Sequence, residues 1–184
     1  MQPSFFLTGE KIALRGYLSS DMVLYRHWVE NPQVNHFLEM GARPLSDTAL
    51  NDIYKSATER DDTIAFIMVD RTTGMPVGTV GLYQIQWVCR RAQFNILIGE
   101  PAAWDKGFGA EAASLLLDYA FDKLNLESVY LGVNAENRRA VRSYEKSGFV
   151  HEGTRRKMVY RNGEYYDVHM MSVLREEWLA RVKG

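Results

Sequence analysis

A chain of 184 residues, 46% hydrophobic and 24% charged, can bury one ordinary core and is neither disordered nor low in complexity. A formal net charge of −1 argues against a general nucleic-acid binder, and a single cysteine, Cys89, excludes an internal disulfide framework. No apolar run approaches a membrane span, and "MQPSFFLTGEK" lacks the charged n-region of a signal peptide. The expectation is a single domain over residues 1–184, cytoplasmic, with no nucleic-acid or membrane partner.

"KIALRGY" (Lys11 to Tyr17) alternates and reads as a first strand. "SSDMVLYRHWVEN" offers Ser or Asp caps and places Met22, Tyr25, Trp28 and Val29 at helical spacing, with Pro32 as the stop. After the turn-like "GARPLSD", a second helix is expected from about Ser46 to Thr58. "TIAFIMVD" is a strand, "RTTGMP" a turn and "VGTVGLYQIQWV" the hairpin partner; "RRAQFNILIG" is a further strand. Ala112, Leu115, Leu116 and Tyr119 mark one face of a long helix that follows a glycine turn. "SVYLGVN" is a short buried strand, and "ENRRAVRSYEKSG" is a helix ending on Gly148. "FVHEGTRRKMVYRNGEYYDVHMMSVLREEW" reads as strand, Asn162-Gly163 turn, strand. Together these predict an α+β domain on a mostly antiparallel sheet with one strand–helix–strand unit inside it.

The glycine turn lies in "AAWDKGFGAEAASLLLDYAF" (Ala102 to Phe121). Gly107-Phe108-Gly109-Ala110-Glu111-Ala112 fits the dinucleotide fingerprint G-x-G-x-x-G/A by its letters. That fingerprint should open a parallel βαβ unit whose second strand ends on an acid; here Glu127 precedes the strand and Asn134 follows it. A P-loop is also disfavoured, because no Gly-Lys-Ser/Thr follows. What survives is general: glycines admit close backbone approach, and amides at a helix N-terminus bind a pyrophosphate, with Lys106 adjacent. A plain strand-to-helix turn is the competing reading.

Further along, "NAENRRAVRSYEKSGF" puts Asn137, Ala140 and Tyr144 on one helical face. Glycine turn, short strand, then Asn-x-x-Ala-x-x-x-Tyr-Glu-Lys-x-Gly-Phe resembles the GNAT superfamily of acetyl-CoA-dependent N-acetyltransferases. The likeness spans nearly the whole chain. "LTGEKIALRGYLSSD" and "RNGEYYDVHMMSVLREEW" resemble the branch holding ribosomal-protein N-terminal (RimJ/RimL-like) and small-amine or amino-sugar acetyltransferases. The resemblance implies a GNAT fold: a mixed, mostly antiparallel twisted sheet of about seven strands with about four helices, its central strands splayed to hold CoA.

Carried over by residue, the resemblance implies that backbone amides of Gly107, Phe108, Gly109 and Ala110, with Lys106 beside them, hold the CoA pyrophosphate. Trp104 stands where the superfamily usually has Arg or Gln, although the branch often has an aromatic there. Leu97 and Ile98 would pair their backbone with the pantetheine arm, a small case of β-augmentation. Asn137 would hydrogen-bond the cofactor, with Asn134 a weaker candidate; an N-terminal cap is the other role open to Asn137. Tyr144 matches the family's general acid. A departing thiolate has a parent thiol near pH 8.5, while tyrosine at about 10 stays protonated and can donate. Packing beside Phe149 is the competing role for Tyr144.

A general base is harder to place. Relatives often carry Glu in the fourth strand, but Gln93 stands at that position, and Gln cannot act as a base. A water relay to another carboxylate, such as Glu100, and capture of already neutral amine are the alternatives. His27, His36, His151 and His169 show no metal spacing, so no metal is expected. Trp28 and Trp87 either line the acceptor cleft or fill the core. Cys89 lacks a His partner, which argues against a covalent acetyl-enzyme. The implied activity is transfer of acetyl from acetyl-CoA to a primary amine by direct attack in a ternary complex. Candidate acceptors are a protein N-terminus, a polyamine, an aminoglycoside or an amino sugar, with a lean to amino sugars and small amines. A catalytically idle module that binds CoA or a partner protein is the alternative. A homodimer is the default assembly.

Overall fold

The computed structural model describes residues 4–38 and 43–183. The turn read in "GARPLSD" begins outside them. The chain opens with β1 (Leu7–Thr8), β2 (Ile12–Arg15), α1 (Asp21–Glu30), α2 (Pro32–Asn35) and α3 (Asp47–Glu59). It continues through β3 (Ile64–Asp70), β4 (Pro76–Gln86), β5 (Arg91–Ile98), α4 (Phe108–Asp118), a π-helical turn at Tyr119–Lys123 and β6 (Ser128–Asn134). It closes with α5 (Arg138–Lys146), β7 (Val150–Arg161), β8 (Glu164–Leu174) and α6 (Arg175–Lys183). The strands form one sheet in the order β1-β2-β3-β4-β5-β6-β8-β7. Every pairing is antiparallel except β5 with β6.

The sheet is covered on both faces, and strand alternation decides which side chain goes where. Along β3, Phe66 and Met68 join a core with Ile12, Leu14, Leu82, Phe94 and the α4 residues Ala112, Leu116 and Leu117. Their neighbours Ala65, Ile67 and Val69 join a second core with Tyr17, Met22, Tyr25, Trp28, Val29 and Leu50 from the α1 and α3 side. Burial on both faces explains why "TIAFIMVD" is apolar without a break. The α1 start is pinned by a buried ion pair: Arg15 donates to both Asp21 oxygens at 2.7 Å, and Leu18 N donates to Asp21 at 2.8 Å. Ser46 caps α3 by accepting from Ala49 N at 3.1 Å.

Eight strands and six α-helices among the described residues correct the expected seven and four. Pro32 does end α1, but it also begins α2, because proline at the first helical position gives up an N–H that would have no partner anyway. "REEW" is not strand but the start of α6. Glu177 accepts from Leu174 N at 2.8 Å, and buried Trp178 donates to Asp118 at 2.8 Å. Acid in the first turn was the available signal. The expected punctuation holds elsewhere: Gly148 has φ +94°, and Asn162 and Gly163 have φ +50° and +86°, the turn that matches strand twist.

Candidate active site

The site begins where the sheet fails to close. β5 pairs with β6 only through Arg91–Ser128, Ala92–Val129 and Gln93–Tyr130, whereas β4 holds β5 as far as Ile98 and β8 holds β6 as far as Asn134. Beyond Gln93 the two central strands therefore present free edges to each other across a cleft of about 1210 Å³. Strand alternation decides which backbone groups are free. Gly99 N donates to Val77 O at 2.9 Å, and a Cβ on Gly78 would lie 2.0 Å from Leu97 O, so Leu97 is committed to β4. The groups turned to the cleft are those of Ile96 and Ile98, which corrects the expectation for Leu97; its side chain still lines the cleft.

At one end of this gap sits the glycine turn. Gly107 adopts φ +83°, a conformation that side-chain-bearing residues rarely take, and caps α4. The first bond from this cap is Glu111 N to Gly107 O at 3.1 Å, so the amides of Phe108, Gly109 and Ala110 have no intrahelical acceptor. A Cβ on Gly109 would stand 3.4 Å from Ile98 Cδ1 and 3.6 Å from Ser143 Oγ, an ordinary van der Waals contact. The Phe108 ring is buried in the core below. Three free amides and the dipole of an eleven-residue helix fit a pyrophosphate.

From the opposite side, α5 brings Tyr144 and Asn137. Asn137 accepts from Ala140 N at 3.2 Å and so does cap the helix; that leaves its amide NH₂ to donate. Asn134 is buried at the end of β6 and accepts from Glu136 N at 2.9 Å. Tyr144 is half-buried, its ring set edge-on to Phe94 and Phe149 with centroids 6.0 and 5.7 Å away. Its hydroxyl makes no hydrogen bond among the described residues, and burial pushes its pKa up to about 12. Leu97, Ile98, Gly107, Phe108, Gly109, Ala110, Asn134, Asn137 and Tyr144 all line the one cleft. Lys106 does not; it is exposed, with Nζ 6.0 Å from the Phe108 ring centroid.

The far wall carries phenols. Tyr17, Tyr25, Thr79, Tyr83 and Gln93 line it, with Gln93 opposite Tyr83 across β4 and β5. Burial pushes Tyr25 and Tyr83 up to about 12 and Tyr17 well above the usual phenol range; charge on Tyr83 adds to the rise at Tyr17 and Tyr25, while the hydrogen bond with Tyr17 lowers Tyr83. Among the described residues the carboxylates on the cleft are Asp105 and Glu136. Glu100 is not on it, because its carboxylate accepts from Trp28 Nε1 at 2.7 Å. Trp28 is wholly buried core, and exposed Trp87 bonds Asp61 O at 3.2 Å away from the cleft.

Two features escaped the sequence reading. Lys11, rather than a neighbour in sequence, brings an ammonium to the glycine turn: it donates to Lys106 O at 3.2 Å, and its Nζ would be 3.3 Å from a Cβ on Gly107. Its backbone N donates to Glu111 at 2.9 Å, which ties β2 to α4. Trp104 meanwhile donates to Ile98 O at 3.0 Å while the Arg139 guanidinium lies 4.0 Å above its ring. Trp104 therefore clamps the end of β5 to α5, occupying a carbonyl that would otherwise face the gap.

Parallel central strands that part beside a helix-start amide cluster match what the resemblance to acetyl-CoA-dependent transferases implies. Residues 11–150 match the Acetyltransferase (GNAT) domain, and the chain belongs to that family. Among characterised relatives it is similar to the spermidine N(1)-acetyltransferase of Vibrio cholerae, 32% identical over 164 residues, covering 89% of this chain and 87% of the relative. The Escherichia coli spermidine N(1)-acetyltransferase is 32% identical over 166 residues, covering 90% and 82%. The crystal structure of the Vibrio cholerae spermidine N-acetyltransferase in complex with CoA and spermine superposes with a TM-score of 0.84 at 30% identity, covering 93% of this chain and 99% of that one. The chain is an acetyl-CoA-dependent N-acetyltransferase with the GNAT fold.

Proposed function

We propose that the protein moves acetyl from acetyl-CoA to a primary amine of a small molecule, by direct attack with both substrates bound, and that polyamines are the acceptor class to test first. The carrying observation is that the free amides of Phe108–Ala110, the open edge of β5 and the Tyr144 hydroxyl line a single cleft. The polyamine class rests on the relatives named above.

In this reading, acetyl-CoA supplies an activated thioester. The α4 amides hold its pyrophosphate, Asn137 donates to it from α5, and the backbone of Ile96 with the Ile98 N–H aligns the pantetheine arm. Tyr144 donates a hydrogen bond to the sulfur as negative charge develops there. At about 12 its hydroxyl is a weaker acid than free tyrosine, which sets on the order of 3 kcal/mol against complete transfer. The same burial would raise the departing thiol, which narrows the gap. The test is thiol release from acetyl-CoA with spermidine, spermine, an amino sugar, an aminoglycoside and a peptide amine. Highest kcat/KM for a polyamine supports the reading, and preference for another amine moves the acceptor class. Tight CoA binding with no release for any amine favours an idle binding module.

A further inference from the structure

Outside the cleft, the β7–β8 hairpin gathers three donor atoms that the acetyl transfer does not use. His151 Nε2 lies 3.2 Å from His169 Nδ1, and Thr154 Oγ1 lies 3.1 Å from the first and 2.9 Å from the second. The imidazole rings stand nearly perpendicular, 85° apart. A β-bulge between His151 and Gly153 makes the juxtaposition: it shifts the register so that Thr154 faces His169 while His151 faces Met171. His151 and Thr154 are exposed and His169 half-buried, so the cluster is open to solvent, and none of the three lines the cleft.

We propose that His151 and His169, with Thr154 Oγ1 as a weaker third donor, form a surface site for a divalent late transition-metal ion. Imidazole nitrogens suit nickel, copper and zinc. Metal–nitrogen bonds are about 2.0–2.1 Å, so donors at right angles around one ion stand about 2.9 Å apart and tetrahedral donors about 3.4 Å apart. The Thr154–His169 separation of 2.9 Å matches the right-angled figure, the His151–His169 separation of 3.2 Å lies nearer the tetrahedral one, and the His151–Thr154 separation of 3.1 Å falls between. The separations admit either geometry, and Ni²⁺ is chosen as the probe because it sits high in the affinity order of imidazole sites. Among the described residues no thiolate or carboxylate joins the three, so the remaining positions fall to water. Bound there, the ion would join β7 to β8 across the bulge and stabilise the folded hairpin.

The experiment is calorimetric titration of the metal-free, untagged full chain with NiCl₂ in a non-chelating buffer near neutral pH. It is run beside His151→Ala, His169→Ala and, as a control, His27→Ala. Because both histidines reach the surface, the variants are expected to fold, which circular dichroism checks. The expected result is one Ni²⁺ per chain, weakened at least tenfold in either hairpin variant and unchanged in the control. Thermal unfolding should shift upward with Ni²⁺ in the wild type and in the control alone. Equal affinity in wild type and His151→Ala, or loss of binding in His27→Ala, overturns the proposal. Acetyl transfer need not be measured, so this test stands apart from the proposed acceptor chemistry.

Discussion

The proton that an acceptor amine must lose before attack offers the most discriminating test of the chemistry. Gln93 occupies the wall opposite Tyr83, and an amide has no basic lone pair near neutrality. Glu100 is held by Trp28 away from the cleft, and burial keeps Tyr25 and Tyr83 protonated up to about 12. His36, Asp105 and Glu136 also line the cleft; in the reading that none of them takes the proton, the amine arrives already neutral. For an acceptor with a lysine-like pKa of about 10.4, the neutral fraction at pH 7.4 is about one in a thousand, and it grows about tenfold per pH unit. The expected kcat/KM therefore climbs about tenfold per unit from pH 7 and flattens only near the acceptor's own pKa. An acceptor with an α-amine pKa of about 8 should flatten some two units earlier. Tyr144 works in its protonated form, and its pKa is pushed up to about 12, so its contribution is lost only as the pH rises through that value. No falling limb from Tyr144 is expected below about pH 11. Thiol release measured from pH 6 to 10 with two amines of different pKa decides the matter. A bend at one common pH for both acceptors would reveal a base on the enzyme and refute the reasoning. Gln93→Glu should supply such a base, raising kcat/KM at pH 7 by about tenfold or more and flattening the profile.

Other expectations follow from the same geometry. Tyr144→Phe keeps the ring contacts with Phe94 and Phe149 but removes the donor, so kcat should fall by about 10²–10⁴ while the acetyl-CoA Kd stays near wild type. Gly109→Ala places its Cβ in ordinary contact with Ile98 and should bind acetyl-CoA nearly as well as wild type, whereas Gly109→Glu should weaken binding at least tenfold. Unaltered binding in Gly109→Glu would make the turn structural only. Asp21→Ala strands the Arg15 guanidinium in the interior and should cost about 3–5 kcal/mol, read as a thermal midpoint lower by about 6–20 °C.

What the chain disclosed in advance was local. Gly107, Gly148 and the Asn162-Gly163 pair announce positive φ because few other residues accept it, and each sits where the turn was expected. The i, i+3, i+7 face carrying Asn137, Ala140 and Tyr144 survives folding for the same reason: helical spacing is a property of a few consecutive residues. One incomplete reading and one misreading were also local, and both turned on signals with two meanings. Pro32 can end one helix or begin the next, and the acidic pair Glu176 and Glu177 is as compatible with an exposed strand end as with a helix start.

The site is different in kind, because its decisive contacts join residues far apart in sequence. Lys11 meets the carbonyl of Lys106, and Trp28 meets Glu100. No periodicity encodes such pairs; they follow from strand order and register. Glu100 shows the consequence. As a lone acid two residues past β5 it was a reasonable candidate base, and only the packing of α1 against the sheet assigns its carboxylate to an indole N–H instead. The same packing makes the splay productive. Trp28, buried beneath Gly99, would lie 2.1 Å from any Cβ placed there, so this glycine lets the end of β5 settle close against α1. Held by α1 on one face and clamped by Trp104 on the other, the β5 end stays fixed while β6 leaves with β8. The gap between them is thus a consequence of how each strand is tied to its outer neighbour, and substitution at Gly99 should widen or misalign it without touching a single residue that lines it. Gly99→Val is expected to raise the acetyl-CoA Kd and to lower stability together, and a variant that lost neither would show that the end of β5 is positioned by something other than this contact.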